Sequence, residues 1–349
     1  MNAEKRGGRH LKKQKSLLII SITYMLLLLL IPTVVLLPFS SKEPEQKDVN
    51  ADQSEPKESK KESLDYTVSV FRDQLGEVEE LELESYVAGV VASEMPATFE
   101  DEALKAQALA ARTYVTQLIA AGGAADLPVK ADITDTIAHQ VYKSDDDLKK
   151  LWKDEYESKK SKIKKAVEAT KGEVLTYKGK PITASFFSTS NGWTENAKDY
   201  WEEDVPYLQS VESGWDKEVA PDFIHETTIT VAEFEEKLGI KLSKGEIGTV
   251  MERTPGHRIK TVSIAGQTFS GRDIREKLGL RSTDFHWTQK GDSILIQTKG
   301  YGHGVGMSQY GANGMAKEGK NYNDIVMHYF KGVEIASVDS ILPSIVAQR

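Results

Sequence analysis

The sequence predicts an α+β protein: a helical half packed on mainly antiparallel β structure, preceded by one transmembrane helix. Three observations carry that expectation. Apolar residues recur at helical spacing over roughly 84–170, period-two runs follow Gly172, and 21 residues without a charge lie near the N-terminus.

The uncharged stretch, Leu17 to Leu37, would span about 30 Å as a helix, the thickness of a hydrocarbon core. Lys5, Arg6, Arg9, Lys12, Lys13 and Lys15 precede it against the single acid Glu4, so the positive flank belongs in the cytoplasm. A cleaved secretory signal is the competing reading. Its apolar region is ordinarily shorter, and Pro38-Phe39-Ser40-Ser41 offers no small-x-small cleavage site. Residues 41–65 hold 13 charged side chains with Pro44 and Pro56 and almost nothing apolar, too little to fold. The expected order is therefore a cytoplasmic basic tail (1–16), an anchor (17–37), a charged flexible linker (38–65) and an extracytoplasmic domain (66–349).

Within that domain Val87, Val90 and Val91 mark one face of a helix over Glu84–Glu94, which Pro96 stops. A second helix follows Thr98, whose hydroxyl can cap it with Asp101 three residues on, and runs through Ala103, Ala106, Ala110 and Tyr114. A third, strongly charged helix is expected around Asp147–Thr170. Strands are expected at Glu173–Tyr177, Ile182–Phe187 after a Lys178-Gly179-Lys180 turn, Thr227–Thr230, Ile259–Ile264 and Ser293–Thr298. Helices are expected at Val231–Leu238, Asp273–Leu278, Met307–Lys317 and Asn321–Phe330. No fixed-period repeat is visible, which argues against a solenoid or propeller.

Composition narrows the chemistry. The chain has 349 residues, 39% of them hydrophobic, and no cysteine, so thiolate nucleophiles, disulfides and Cys-based zinc sites are excluded. The first fifteen residues carry a net +5 against −8 for the whole, leaving −13 beyond them. An acidic body argues against nucleic acid and requires a near-neutral substrate or a local basic patch.

The most informative residue is Glu94. It falls seven positions after Val87, on the apolar stripe, just before the helix-ending proline. Burial and the negative end of the helix dipole both disfavour its ionised form, and a proton held near neutral pH is what a general acid needs. The bland alternative is a partly solvated glutamate in a last helical turn. Lys105 and Arg112, seven apart, share one face of the next helix and could meet an anionic group or tune Glu94; two solvated surface cations are the ordinary alternative.

Gly300-Tyr301-Gly302-His303-Gly304-Val305-Gly306-Met307-Ser308-Gln309-Tyr310-Gly311 follows an expected strand and enters an expected helix. It fits neither a dinucleotide fingerprint nor a P-loop. Its alternating glycines permit close approach of a bulky ligand, with His303, Gln309 and Tyr310 offering hydrogen bonds and a flat face. Phe187-Ser188-Thr189-Ser190-Asn191-Gly192 sets hydroxyls and an amide beside Trp193, Tyr200 and Trp201, which suits a sugar, although aromatics more often belong to a core. There is no G-x-S-x-G serine and no H-E-x-x-H.

Taken together, Glu84 to Pro96, Ala103 to Tyr114, His139-Gln140-Val141-Tyr142, Ser188 to Gly192 and Gly300 to Gly311 resemble the family of stage II sporulation protein D and its amidase-enhancer relatives, over about 66–345. The resemblance implies a membrane-anchored, cofactor-free lytic transglycosylase acting on peptidoglycan during engulfment of the forespore. Such an enzyme cuts the β-1,4 bond between N-acetylmuramic acid and N-acetylglucosamine and leaves a 1,6-anhydro end. It implies peptide-stripped glycan as substrate, an amidase partner, sporulation protein P, and a membrane partner, sporulation protein M. The family's catalytic glutamate falls on Glu94. Substrate contacts are then expected from Lys105, Arg112, Gln140, Tyr142, Ser188, Ser190, Asn191, Trp201, Asp216, His303, Gln309 and Tyr310. Some relatives carry cysteines ahead of Gln140-Val141-Tyr142 that suggest zinc; with none here, no metal is expected.

A transglycosylase can use one carboxyl twice, as acid and then as base, whereas a hydrolase needs a second, for which Asp216 and Glu195 are the weak candidates. Two rivals stay open: a non-catalytic wall-binding activator of an amidase, and a lysozyme-like glycan hydrolase.

Overall fold

The computed structural model describes residues 66–125, 127–243 and 246–342. The basic tail, the 17–37 span and the linker expected from the sequence lie outside the described residues. Among the described residues no helix is long and apolar enough to cross a membrane.

The chain opens with an antiparallel hairpin of β1 (Thr67–Arg72) and β2 (Glu77–Glu82), then α1 (Leu83–Glu94), α2 (Asp101–Ala121) and β3 (Ile133–Thr134), which pairs in parallel with β1. Next come α3 (Asp145–Trp152), α4 (Tyr156–Ala169), β4 (Glu173–Tyr177), β5 (Lys180–Pro181), β6 (Phe186–Phe187), α5 (Ala197–Trp201) and α6 (Asp216–Val219). A β-rich run follows: β7 (Ile224–Thr230), α7 (Val231–Leu238), β8 (Thr249–Arg253), β9 (Ile259–Ile264), β10 (Gln267–Ser270), α8 (Gly271–Leu278), β11 (Phe285–Lys290) and β12 (Ser293–Lys299). The chain then returns through β13 (Met307–Ser308), α9 (Gln309–Lys317), α10 (Tyr322–Tyr329) and β14 (Glu334–Ser337). The sheets are small, ordered β2-β1-β3, β10-β9-β8, β11-β12-β7, β13-β6 and β14-β4-β5. All pairings are antiparallel except β1 with β3 and β6 with β13, so the fold is α+β with mainly antiparallel sheets.

Two hydrophobic cores result. The first surrounds α2, which packs against α1, α4, α9, α10 and β4. Its alanines explain the crowding: Ala103, Ala106, Ala108, Ala110 and Ala111 are fully buried, and small side chains let neighbouring backbones approach. From α1, Val87, Val90 and Val91 are buried against it as their spacing predicts. The second core lies within 234–296, built from Phe234, Ile259, Val262, Ile274, Phe285, Trp287, Ile294 and Ile296.

Four expectations are corrected. The third helix is two, broken where Lys153 adopts φ 49°, a left-handed value that no feature of its charged surroundings announces. Thr98 does not cap α2; the cap position is Glu100, whose N–H donates to Asn313 Oδ1 (2.9 Å). Ile182–Phe187 is not a continuous strand: Ile182 still bonds to Leu175 of β4, and the segment then leaves β5 so that Phe186–Phe187 meets β13. A repeat does exist in the second core. Thr230 and Ser270 each cap a helix by accepting from the N–H three residues on, and each helix ends Glu-Lys-Leu-Gly, with Gly239 and Gly279 at φ 70° and 67°. The two copies lie 40 residues apart, from Thr230 to Ser270, and also share their buried positions, Phe234 with Ile274, Leu238 with Leu278 and Ile240 with Leu280.

Candidate active site

Glu94 is the last residue of α1, partly buried at the turn that leads into α2. The Val141 N–H donates to its Oε1 at 2.9 Å. Burial pushes its carboxyl above the ordinary glutamate range; the Val141 N–H, the Gln309 amide and the Lys143 ammonium pull the other way without cancelling it. The Gln309 amide faces the carboxyl without closing to a hydrogen bond, and its buried Nε2 has no partner.

The segment that delivers Val141 is clamped from three sides. Arg72 pairs with Asp135 (2.9 Å) and Asp147 (3.0 Å) and lies over the Tyr142 ring at 5.0 Å. Tyr142 stacks on Tyr86, ring centroids 5.6 Å apart, and the Tyr86 hydroxyl donates to Gln140 Oε1 at 3.1 Å. Gly89 makes this approach possible, since a Cβ there would sit 2.3 Å from the Tyr142 ring. On the other side α9 is anchored by Asn313 to Glu100 and by Tyr310, which meets Phe99 edge-on at 4.9 Å, so Gln309 arrives at Glu94 from a fixed helix start.

Glu94 opens on a cleft of about 440 Å³ lined also by Ser93, Pro96, Thr98, Trp152 and Lys159. Ala92 and Trp152 also line a second cavity of about 620 Å³, between β2, α1, α3 and α4, which Tyr142 and Lys143 border. Trp152, Lys159 and Lys143 were not among the residues singled out from the sequence. No sequence signal marks the first two, because the helix break that brings them together is itself unmarked; Lys143 lies one residue past a quoted motif.

Gln309 therefore flanks Glu94, and Gln140 adjoins the Val141 whose N–H reaches it; each has a buried, unpartnered Nε2, and Tyr142 and Tyr310 brace the segments that carry them. Other expected contacts are engaged elsewhere. Arg112 is fully buried: it pairs with Glu84 (2.6 Å), and its remaining N–H groups donate to Thr170, Glu173 and Val167, so it ties helices and offers nothing to a ligand. Neither alternative from the sequence, substrate contact or solvated cation, describes it. Lys105 shares that side of α2, as its spacing predicts, but pairs with Glu102 (2.6 Å) and lies over the Tyr322 ring.

Asp216 is fully buried and accepts from the Ser190 N–H (2.8 Å) and from the hydroxyls of Ser190, Ser213 and Ser308. Burial raises its pKa and those donors oppose the rise. Ser190 is also fully buried, and both side chains are engaged within the fold. Ser188 contributes its carbonyl to the Tyr310 N–H and its hydroxyl to Thr189. Asn191 donates to the Gly256 carbonyl and Asp284, each at 3.0 Å. His303 sits among Phe187, Tyr200 and Trp201, its Nδ1 accepting from the Val305 N–H. Burial, with Arg275 and Arg258, pushes it down to about 4, so the ring is neutral at physiological pH. None of the contacts of Asn191 or His303 reaches Glu94.

Glu195, the other candidate second carboxylate, is buried against Thr254, the Asn196 N–H and Arg258. Among the described residues no group of three His, Asp or Glu side chains is placed to hold a metal ion.

An α+β domain that carries a sheltered carboxyl at a helix end beside an open cleft defines the structural class, and sequence comparison assigns the family. Residues 71–177 match the family model described as Stage II sporulation protein. Stage II sporulation protein D of Bacillus subtilis is 48% identical over 331 residues, covering 93% of this chain and 96% of that protein. The protein of the same name from Bacillus amyloliquefaciens is 48% identical over 332 residues, with the same coverage. The Amidase enhancer of Bacillus subtilis is 29% identical over 304 residues, covering 71% of this chain and 40% of that protein. The chain belongs to the stage II sporulation protein D family.

Proposed function

We propose that this protein is a peptidoglycan lytic transglycosylase, with Glu94 as both acid and base, acting on peptide-stripped glycan strands during forespore engulfment. The single observation that carries the reading is a carboxyl whose pKa burial raises, at the wall of a cleft large enough for a sugar. Protonated Glu94 gives its proton to the bridging oxygen as the C1–O bond of the muramic residue breaks. The resulting carboxylate then takes the proton of that sugar's 6-hydroxyl, whose oxygen closes on C1 to form the 1,6-anhydro ring, and the acid is regenerated without water. The Val141 N–H and the Gln309 amide suit the charged half of this cycle, since both favour the carboxylate.

Among the described residues Glu94 is the sole acid lining the 440 Å³ cleft, which favours this route over hydrolysis, where a second carboxylate about 5 to 9.5 Å away is needed. The reading includes an N-terminal membrane anchor with the catalytic domain outside, and sporulation proteins P and M as partners, as the family implies. Full-length protein and its Glu94→Gln variant, incubated with peptide-free glycan and read by mass spectrometry, test it. The native protein should give anhydro-ended products and the variant about 10²- to 10⁴-fold fewer. Undiminished cleavage by the variant discards the acid; reducing ends mean a hydrolase; glycan binding with no bond cut means an activator.

A further inference from the structure

Two residues that no motif marks, Trp152 and Lys159, share the cleft with Glu94; Trp152 packs one side against the first core and the Tyr156 ring, 6.4 Å between centroids, and also lines the cleft. Trp152 closes α3 and separates the cleft from the larger cavity, lining both. Its placement depends on the next residue, Lys153, held at φ 49° and ψ −120°, a region that side-chain-bearing residues avoid. Strain of that kind persists where the surroundings over-determine a conformation, and it clusters at ligand sites. One turn into α4, Lys159 extends its Nζ over the Trp152 ring at 5.8 Å and is otherwise held only by Glu155 (2.9 Å), a solvent-exposed acid whose grip is weak. Among the described residues lining the cleft, Lys159 is the one cation and Glu94 the one acid.

We propose that Trp152 and Lys159 form a saccharide subsite beside Glu94, the indole carrying the C–H face of a ring and the ammonium receiving the carboxylate of a muramic acid's lactyl ether. This rests on the proposed glycan substrate and deepens it. An acidic protein needs a local cation to accept an anionic strand, and with Arg112 buried and Lys105 engaged elsewhere, Lys159 is the cation that faces the cleft. Ring and charge together select muramic acid over plain N-acetylglucosamine: every such sugar offers a face to stack, and only the muramic residue carries the carboxylate.

Calorimetric binding to the full-length Glu94→Gln protein tests this without turnover, using two probes: a peptide-free tetrasaccharide of alternating N-acetylglucosamine and N-acetylmuramic acid, and the tetramer of N-acetylglucosamine. Lys159→Gln should weaken the first about tenfold and leave the second within about twofold, while Lys159→Arg keeps both. Trp152→Ala should weaken both by roughly tenfold and Trp152→Phe restore most of the loss. Equal loss of both probes in Lys159→Gln, unchanged binding in Lys159→Gln or Trp152→Ala, or no binding of the muramic probe by the parent overturns the subsite. If these losses appear while Glu94→Gln still cleaves glycan, the subsite stands and the acid assignment falls.

Discussion

Glu94 is balanced between opposing influences, and the balance can be moved by one neighbour. Burial favours the protonated acid; the Lys143 charge, together with the Val141 N–H and the Gln309 amide, favours the carboxylate. Removing that positive charge by Lys143→Gln raises the Glu94 pKa further, so the acid form persists to higher pH. The alkaline limb of kcat/KM should therefore move up in Lys143→Gln and stay in place in Lys143→Arg, as a pH–rate profile on peptide-free glycan would read. A downward move would mean that Lys143 acts on another group. Glu94 itself was legible in the sequence because a helix period places it on the buried stripe. Arg112 was not: a spacing of seven says which face of α2 it occupies, and not that α1, α4 and β4 cover that face.

At the scale of elements, the break between α3 and α4 sets the cleft, and it is strained. A glycine adopts the Lys153 conformation without a Cβ penalty, although it loses more backbone freedom on folding. Relief should exceed that loss, so Lys153→Gly is expected to stabilise the fold by about 1 kcal/mol. That is a rise of roughly 2–4 °C in Tm for a domain of this size, measurable by thermal denaturation. The same variant should bind glycan less tightly, since Trp152 is then held less firmly. A lower Tm with unchanged binding would show that the backbone is not under strain there. The same break shows where sequence reading fails. An unbroken charged, periodic run gives no signal of a residue forced to positive φ by tertiary contacts. Likewise β2 reads Glu-Val-Glu-Glu-Leu-Glu, its two apolar residues three apart and so off a period-two alternation, and it pairs along its length with β1. By contrast α7, β9 and the buried Val87, Val90 and Val91 of α1 follow from periodicity, where local pattern and burial agree.

In the whole molecule, the two Gly- and Ser-rich segments that drew attention as ligand loops serve largely to join the cores. Residues 188–195 and 300–305 pair with each other through Thr189 and Tyr301, and the Glu195 N–H donates to the Gly304 carbonyl at 2.7 Å. Asn191 and Glu195 reach across to Gly256, Asp284, Thr254 and Arg258 of the second core's strands and loops. At the centre is a buried pair, Glu195 and Arg258, each about 1% exposed, with Arg258 Nε 4.0 Å from Glu195 Oε2 and its Nε and Nη1 without hydrogen-bond partners. Burial raises the acid and lowers the base, so each charge is tolerated largely because the other is there. Removing one partner strands the other. Arg258→Met or Glu195→Leu alone should cost about 3–5 kcal/mol, while the double variant, with no buried charge left, should be less destabilised than either single one. Urea denaturation of the four proteins closes the cycle, and strictly additive losses would show that the pair is not coupled. A loss of stability without a change in the glycan-binding constants of the folded fraction would also separate this junction from the cleft at Glu94, as the contacts of His303 and Asn191 predict.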